Sequence, residues 1–171
     1  MERMSSIEFA MNNEKAEMGY YLDQARRSVN PVVKVLFETL AHDETEHMRQ
    51  IRKLHDKLIS SGAWPDDLPI DVEGTDVATR IKALHADGKA QTVHDDDDVA
   101  ALEKAAEAEQ KGHLFYKELS ATCENPQEKK FFAFLSNIER QHFASIKDSL
   151  FYLTDPEAWH EERERAGLDG A

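Results

Sequence analysis

The chain has 171 residues, of which 40% are hydrophobic and 32% charged, and its formal net charge is −13. This length favours one domain with a sizeable core, and an acidic chain without a basic cluster is not expected to bind nucleic acid. The chain contains no stretch of about 18 apolar residues that would predict a membrane span, and its single cysteine excludes an intrachain disulfide. Because the first residues also lack the apolar core of a signal peptide, we predict a cytoplasmic protein.

The first predicted hairpin covers about residues 5–60. Apolar residues recur at helical spacing over residues 5–27 and again over residues 31–59, which predicts two helices. Asn30 immediately precedes Pro31, and this pair is typical of an N-cap followed by the first helical residue. The chain is therefore expected to turn back on itself at this Asn-Pro pair.

Charged residues interrupt the apolar faces of both helices. The inner face of the first helix is predicted to contain Ile7, Ala10, Met11, Glu14, Met18, Tyr21, Leu22 and Ala25. A carboxylate at Glu14, in the middle of this face, is best explained by a bound cation. In the second helix Glu44 and His47 are three residues apart, so they leave one face and form half of a transition-metal site. The neighbouring Asp43 is expected either to hydrogen-bond a metal-bound imidazole or to form a surface salt bridge.

Residues 61–95 are predicted to form a long crossover, with a short helix from Thr75 or Asp76 to about Ala86. A connection of this length suits a four-helix bundle and would allow hairpins to be exchanged between subunits, so we expect a homodimer. The acidic run from Asp95 to Asp98 is predicted to cap the next helix in preference to binding calcium.

The second predicted hairpin, residues 96–152, repeats the first, and Glu109 follows Glu14 by 95 residues. The same offset maps Tyr21 onto Tyr116, Asn30-Pro31 onto Asn125-Pro126, and Glu44-x-x-His47 onto Glu139-x-x-His142. Such internal repetition predicts two copies of one helical hairpin. The repeat breaks where Gly112 replaces Glu17 and His113 replaces Met18. Leu114 is predicted to face inward, and a short final helix, about residues 155–166, is expected to dock through Trp159.

Both hairpins place two Glu and one His at the same height, roughly 22 Å below the turn. Packing them face to face would bring four carboxylates and two imidazoles into a dry core, which is prohibitive without cations. The predicted ligands of two metals are Glu14, Glu44, His47, Glu109, Glu139 and His142. One Glu from each of two helices and Glu-x-x-His from the other two is the pattern of di-iron and di-manganese carboxylate bundles.

These motifs resemble the rubrerythrin group of the ferritin-like superfamily over roughly residues 7–153. The resemblance lies in Ala10-x3-Glu14-x6-Tyr21, Ala41-x2-Glu44-x2-His47, Ala105-x3-Glu109-x6-Tyr116 and Glu139-x2-His142. It implies an all-α, ferritin-like four-helix bundle with a long crossover and a short C-terminal helix, forming a single domain over residues 1–171. Because Cys123 is the sole cysteine, the four-cysteine rubredoxin iron site of full-length rubrerythrins cannot form, and the chain resembles the di-iron domain alone.

The resemblance implies an oxidoreductase that binds two iron ions, with manganese or zinc as alternatives. It would reduce hydrogen peroxide, or dioxygen, with electrons from a separate donor protein. Alternative functions are a ferroxidase or iron-storage protein, a manganese catalase, or a non-enzymatic bundle that metals stabilise. Tyr21 and Tyr116 are expected to hydrogen-bond ligand carboxylates or to serve only as core residues. Glu17 is expected to be either a switchable seventh ligand or a residue outside the ligand set.

Overall fold

The computed structural model describes residues 3–66, 68 and 95–168, and the side chains of residues 6–66, 68 and 95–165. Regular secondary structure in these ranges is entirely helical: α1 Arg3–Arg27, α2 Pro31–Ser61, α3 Asp96–Thr122, α4 Pro126–Thr154 and α5 Pro156–Leu168. The predicted all-α fold class is therefore confirmed. The short helix expected near residues 75–86 lies outside the described residues. None of the described helices is both long and apolar enough to cross a bilayer.

The helix ends follow local capping rules. The Asn30 side chain accepts a hydrogen bond from the Val32 amide at 2.8 Å, and Asn125 accepts one from the Gln127 amide at 2.8 Å. Each of these caps satisfies an amide that has no partner within its own helix. At its other end α2 terminates at Gly62, whose φ of 68° lies in the left-handed region that glycine adopts without strain. The two hairpin turns thus have the same construction, as the sequence repeat predicts.

Helix α1 packs along α2, and α3 packs along α4, so the chain forms two hairpins. Their relative direction is shown by Asp98, at the start of α3, which accepts hydrogen bonds from the Asn30 amide at 2.9 Å and the Val29 amide at 3.2 Å. The turn of the first hairpin therefore lies beside the first residues of the second hairpin. The two hairpins run in opposite directions, and α2 contacts α4 between them.

Two hydrophobic clusters occupy opposite ends of the bundle. One includes Tyr21, Leu36, Phe37, Leu102, Ala105 and Ile146. The other includes Ile7, Ala10, Ile51, Leu54, Tyr116 and Phe131. Along each of the four long helices, the predicted metal ligands fall between a residue of the first cluster and a residue of the second. The polar layer is consequently sealed by apolar side chains above and below.

Two residues predicted to face the core are instead exposed: Leu22 at 40% and Leu114 at 55%. Successive residues of a helix are separated by about 100° around its axis. Leu22 directly follows the buried Tyr21, so its side chain is turned away from the core. Leu114 lies two positions before the buried Tyr116, about 200° away, and thus on the opposite face of α3. Both inward assignments were wrong.

Helix α5 is held against α4 by Trp159, which is buried. The Trp159 indole Nε1 donates a hydrogen bond to Asp148 Oδ1 at 3.0 Å, and Arg163 donates to both Asp148 oxygens at 2.6 Å. The Arg163 guanidinium also lies 4.4 Å from the centre of the Trp159 ring. The docking of the last helix on the bundle through Trp159 is as predicted.

Candidate metal centre

The six predicted ligands meet in the middle of the bundle, and each is at most 2% exposed. Helix α1 contributes Glu14, α2 contributes Glu44 and His47, α3 contributes Glu109, and α4 contributes Glu139 and His142. Four carboxylates so deeply buried would be prohibitive as unpaired charges. The sequence repeat thus identified the residues that converge, and their role as metal ligands stays a prediction.

Glu44 lies at the centre of this cluster, because each of its oxygens faces a different histidine. Its Oε2 lies 3.0 Å from His47 Nδ1, and its Oε1 lies 3.0 Å from His142 Nδ1. Glu14 Oε2 lies 3.1 Å from His47 Nδ1, and Glu109 Oε1 lies 3.3 Å from His142 Nδ1. The two imidazole rings are stacked with their centres 5.4 Å apart. This arrangement is that of a carboxylate able to bridge two adjacent metal ions.

Several oxygen and nitrogen atoms that could ligate a metal have no hydrogen-bond partner in this part of the structure. His142 Nδ1 and Glu44 Oε1 are close in distance, yet they are not aligned for a hydrogen bond, and both are buried without a partner. Glu109 Oε2 and Glu139 Oε2 are likewise buried and unpartnered. Buried polar atoms are nearly always satisfied, so a cluster of orphaned atoms requires an explanation. Cations at the point where these atoms converge would satisfy them.

There are three groups of residues whose potential ligand atoms lie within 4.8 Å of one another inside each group. The groups are Glu44 with His47 and His142, Glu109 with Glu139 and His142, and Glu14 with Glu17 and Glu139. Glu139 and His142 each occur in two of these groups. A set rich in carboxylates with two imidazoles suits iron or manganese better than a structural zinc ion, which prefers four ligands and thiolates. The residues therefore fit a dinuclear centre.

Without cations, the same side chains must hold protons. Burial and the neighbouring Glu44 raise the pKa of Glu14 to about 8. Burial and Glu109 raise the pKa of Glu139 well above its ordinary value. Burial alone would raise the pKa of Glu44, but the two imidazoles lower it below its ordinary value. Burial alone would lower the pKa of His47, but Glu44 and Glu14 raise it to about 9. Protons and metal ions are thus alternative ways of neutralising this layer.

The two buried tyrosines cross between the hairpins. The Tyr21 hydroxyl of α1 donates a hydrogen bond to Glu109 of α3, and the Tyr116 hydroxyl of α3 donates to Glu14 of α1 at 3.4 Å. Burial and nearby carboxylates raise the pKa of both hydroxyls well above the usual value, so they remain protonated donors. Each tyrosine consequently orients a carboxylate that belongs to the other hairpin.

Glu17 lies at the edge of the cluster and points inward. Its Oε1 accepts a hydrogen bond from Asn13 Nδ2 at 3.1 Å, whereas its Oε2 is buried without a partner. Burial, followed by the charges of Glu44 and Glu109, raises the pKa of Glu17 to about 10. The repeat does not predict a role for Asn13, because the equivalent residue is Ala108. The one sequence signal for this hydrogen bond is the spacing of four residues between Asn13 and Glu17, which places both on one face of the helix.

The residue equivalent to Glu17 in the second hairpin is Gly112, and the structure shows why no side chain is present. A Cβ atom added at Gly112 would lie 3.1 Å from Glu139 Cδ and 3.2 Å from Glu139 Oε2. The backbone of α3 therefore lies directly against the Glu139 carboxylate. The two hairpins differ most at this point, with a fifth acidic side chain on α1 and bare backbone packed against Glu139 on α3.

Asp43 and His113 also have defined environments. Asp43 Oδ2 lies 3.6 Å from His142 Nε2, which favours the role beside an imidazole over a surface salt bridge. The equivalent position in the second hairpin is Ile138, so His47 has no matching carboxylate there. His113 Nδ1 lies 2.8 Å from the Ser136 carbonyl oxygen, which fixes His113 against α4. The centre is therefore two-fold symmetric in its six main residues and asymmetric around them.

Comparison with known proteins agrees with this geometry. Residues 6–74 match the family described as Rubrerythrin, and this range includes α2 and all but the first three residues of α1, with Glu14, Glu44 and His47. No curated protein and no solved structure matched the chain. The family match and the converging Glu and His side chains together support a di-iron protein. Over residues 6–74 the chain is therefore similar to rubrerythrins, and the described residues form an all-helical bundle consistent with a ferritin-like fold.

Proposed function

We propose that this protein is a di-iron peroxidase that reduces hydrogen peroxide to water. The reaction consumes one peroxide, two electrons and two protons and yields two water molecules. The observation that supports it is the buried layer of Glu and His side chains whose unpartnered donor atoms converge around Glu44. Layers of this composition bind redox-active metals in other four-helix bundles.

The two ions would be held by two similar sets of residues. Glu14 and His47 would ligate one ion, Glu109 and His142 the other, and Glu44 and Glu139 would lie between them. Iron bound at this position would supply the two electrons, one from each ion as it passes from Fe(II) to Fe(III). The chain carries a single cysteine and cannot form a four-cysteine iron site of its own, so a separate donor protein would return the electrons.

The surrounding side chains orient the ligands and exclude water. The hydroxyl protons of Tyr21 and Tyr116 hold one oxygen of Glu109 and one of Glu14, which leaves the remaining oxygens directed at the centre. Asp43 faces Nε2 of His142 and favours a proton there, so the lone pair of Nδ1 stays available for a metal. The two hydrophobic clusters restrict access of bulk water from both ends of the bundle.

The proposal is tested by loading the protein with Fe(II) without oxygen and adding peroxide in the presence of a chemical reductant. A peroxidase should consume two electrons from the reductant for each peroxide. Release of dioxygen without consumption of reductant would indicate a catalase. Continued oxidation of Fe(II) beyond two ions per chain would indicate a ferroxidase. Two bound irons with none of these activities would indicate metals that only stabilise the bundle.

The matched variants for this test are Glu44→Gln and Glu38→Gln. Both residues lie on α2, but Glu44 is buried between the two histidines whereas Glu38 is exposed. The Gln side chain preserves size and removes the charge. We expect Glu44→Gln to lose iron and peroxide turnover together, and Glu38→Gln to retain both. Equal turnover in the two variants would place the activity elsewhere.

A further inference from the structure

A pocket of about 310 Å³ opens between α1 and α3 on the surface of the bundle. Phe9 and Phe115 form one side of it, with their ring centres 4.9 Å apart, and Ala108 and Lys111 contribute to its exposed part. A water molecule occupies about 30 Å³ in the liquid, so a molecule the size of hydrogen peroxide fits easily. The pocket is therefore large enough for a small substrate.

The floor of this pocket consists of residues that touch the metal centre. Glu17 lines the pocket, and its unpartnered Oε2 is buried on the side of the Glu cluster. Gly112 also lines the pocket, and a Cβ atom there would lie only 3.1 Å from Glu139 Cδ. Asn13 binds the outer oxygen of Glu17 and holds it in this position. One side chain and one strip of backbone thus separate the pocket from the centre.

We propose that this pocket is the entrance through which a small uncharged oxidant, hydrogen peroxide or dioxygen, reaches the metal centre. The inference rests on the proposed function, since it assigns the route of that reaction's substrate. The carboxylates beneath the floor disfavour anions. At the rim, the ammonium group of Lys111 lies 3.7 Å from a Glu107 oxygen, so its charge is compensated there. A neutral molecule experiences no repulsion from the carboxylates. Glu17 is the acidic group that such a molecule meets at the floor, next to the metal centre.

Another surface pocket, between α3 and α4, provides the comparison. It is lined by His113, Lys117, Ser136 and Arg140 among others, and unlike the first pocket it contains neither Glu17 nor a residue packed against Glu139 such as Gly112. Ala133 is an exposed alanine in this second pocket, just as Ala108 is an exposed alanine in the first. A bulky side chain at Ala108 or at Ala133 would fill a surface pocket in either case, but only the pocket at Ala108 adjoins the metal centre. The two alanines form a matched pair.

The experiment compares Ala108→Trp with Ala133→Trp, both loaded with Fe(II). Nitric oxide serves as the probe, because it is small and neutral and its binding to Fe(II) is followed by stopped-flow absorbance. We expect Ala108→Trp to slow nitric oxide association at least tenfold at unchanged iron content and melting temperature, and Ala133→Trp to leave the rate unchanged. Unchanged association in Ala108→Trp, or equal slowing in both variants, would overturn the proposal.

If Ala108→Trp fails to fold, Ala108→Leu is the milder substitution. We expect it to slow nitric oxide association with Fe(II) at least threefold. Nitric oxide association reports access to iron whether or not peroxide is reduced. Slow association in Ala108→Trp with no peroxide turnover in the unmodified protein would therefore support the entrance and contradict the peroxidase. Peroxide turnover in the unmodified protein with unchanged association in Ala108→Trp would support the peroxidase and contradict the entrance.

Discussion

A single carboxylate beyond the symmetric set distinguishes the two halves of the centre. Glu17 is buried toward the other acidic side chains, and the opposite position is Gly112. Divalent ions would already be neutralised by the four carboxylates of Glu14, Glu44, Glu109 and Glu139. A fifth carboxylate can compensate one of the two additional positive charges that appear when both ions become trivalent. The physical use of Glu17 is therefore greatest in the oxidised protein.

We predict that Glu17→Gln still binds both metals but reduces peroxide turnover at least tenfold, which corresponds to about 1.4 kcal/mol of transition-state stabilisation. Six ligands remain for binding, and the amide oxygen of Gln can still accept the hydrogen bond from Asn13. Metal content and turnover are measured together. The control is Glu8→Gln, which removes a charge from an exposed position of the same helix. Unchanged turnover in the Glu17 variant would mean that the six-residue site is complete.

Gly112 and Gly19 form a second matched pair, because both lie inside helices. A Cβ at Gly19 meets nothing within 4 Å, whereas one at Gly112 lies 3.1 Å from Glu139 Cδ. Replacing glycine by alanine in a helix stabilises it by about 1 kcal/mol. We expect Gly19→Ala to raise the melting temperature by about 2–4 °C with unchanged metal content. Gly112→Ala should displace Glu139 and weaken metal binding, and metal affinity equal to that of Gly19→Ala would refute this expectation.

At the scale of the elements, Asp98 connects the start of α3 to the turn of the first hairpin. It is buried, and it accepts hydrogen bonds from the amides of Val29 and Asn30. Asp98→Ala would leave these two amides without their acceptor, at a cost of about 2–3 kcal/mol. Asp97→Ala, in the same helical turn but exposed, should cost at most about 1 kcal/mol through the helix dipole. Urea unfolding measures both, and equal midpoints would contradict this role for Asp98.

The repeat explains both what could be predicted from the sequence and what could not. Because Glu14 and Glu109 share one register, the elements and the converging side chains followed from the pattern alone. The same register also gives the equivalents of Leu22 and Leu114, which are Lys117, a charged residue, and Gly19, which has no apolar side chain to bury. These pairings indicate exposure, whereas apolar spacing considered alone indicated burial.

Other features depend on contacts that no local pattern records. Capping by the acidic run could be predicted, and Asp95 is the N-cap, whereas the bonds of Asp98 to amides 68 and 69 residues away in sequence could not. The sequence permits two interpretations of Asp43, because only the packing of α2 against α4 places it beside His142. The pocket floor at Glu17 and Gly112 likewise depends on how closely α3 approaches Glu139. The repeat predicts that the two hairpins are equivalent, and the surroundings of the centre differ between them at the positions where the repeat breaks.

For the whole molecule, the polar layer between two hydrophobic clusters couples metal binding to stability. Metals bind the folded arrangement in preference to the unfolded chain, so they stabilise it by mass action. At a metal concentration 100 times the Kd this contributes about 2.7 kcal/mol. We expect a chelator to lower the melting temperature by about 5–10 °C and added Fe(II) to restore it. Glu44→Gln should show little response to added metal, and equal melting of the native protein with and without chelator would contradict a metal-bearing core.

The metal-free protein should also lose stability as the pH rises. Burial raises the pKa of Glu14 to about 8 and that of Glu17 to about 10, so above pH 4.5 the folded state retains protons that the unfolded chain releases. Against the effect of burial, Glu44 and Glu14 raise the pKa of His47 to about 9. The stability that this proton contributes is fully present below pH 6.5 and is lost as the pH rises through 9.

All three groups therefore act in the same direction between pH 5 and pH 9. Each titrating proton changes the free energy of unfolding by at most about 1.4 kcal/mol per pH unit, or roughly 3–6 °C in melting temperature. Calorimetry of the chelated protein across this range should show a steady fall. Metal ions keep the carboxylates ionised at every pH in this range, so the Fe(II)-loaded protein should change much less. A melting temperature of the chelated protein that rises from pH 5 to pH 9 would show that the buried acids are ionised without metal.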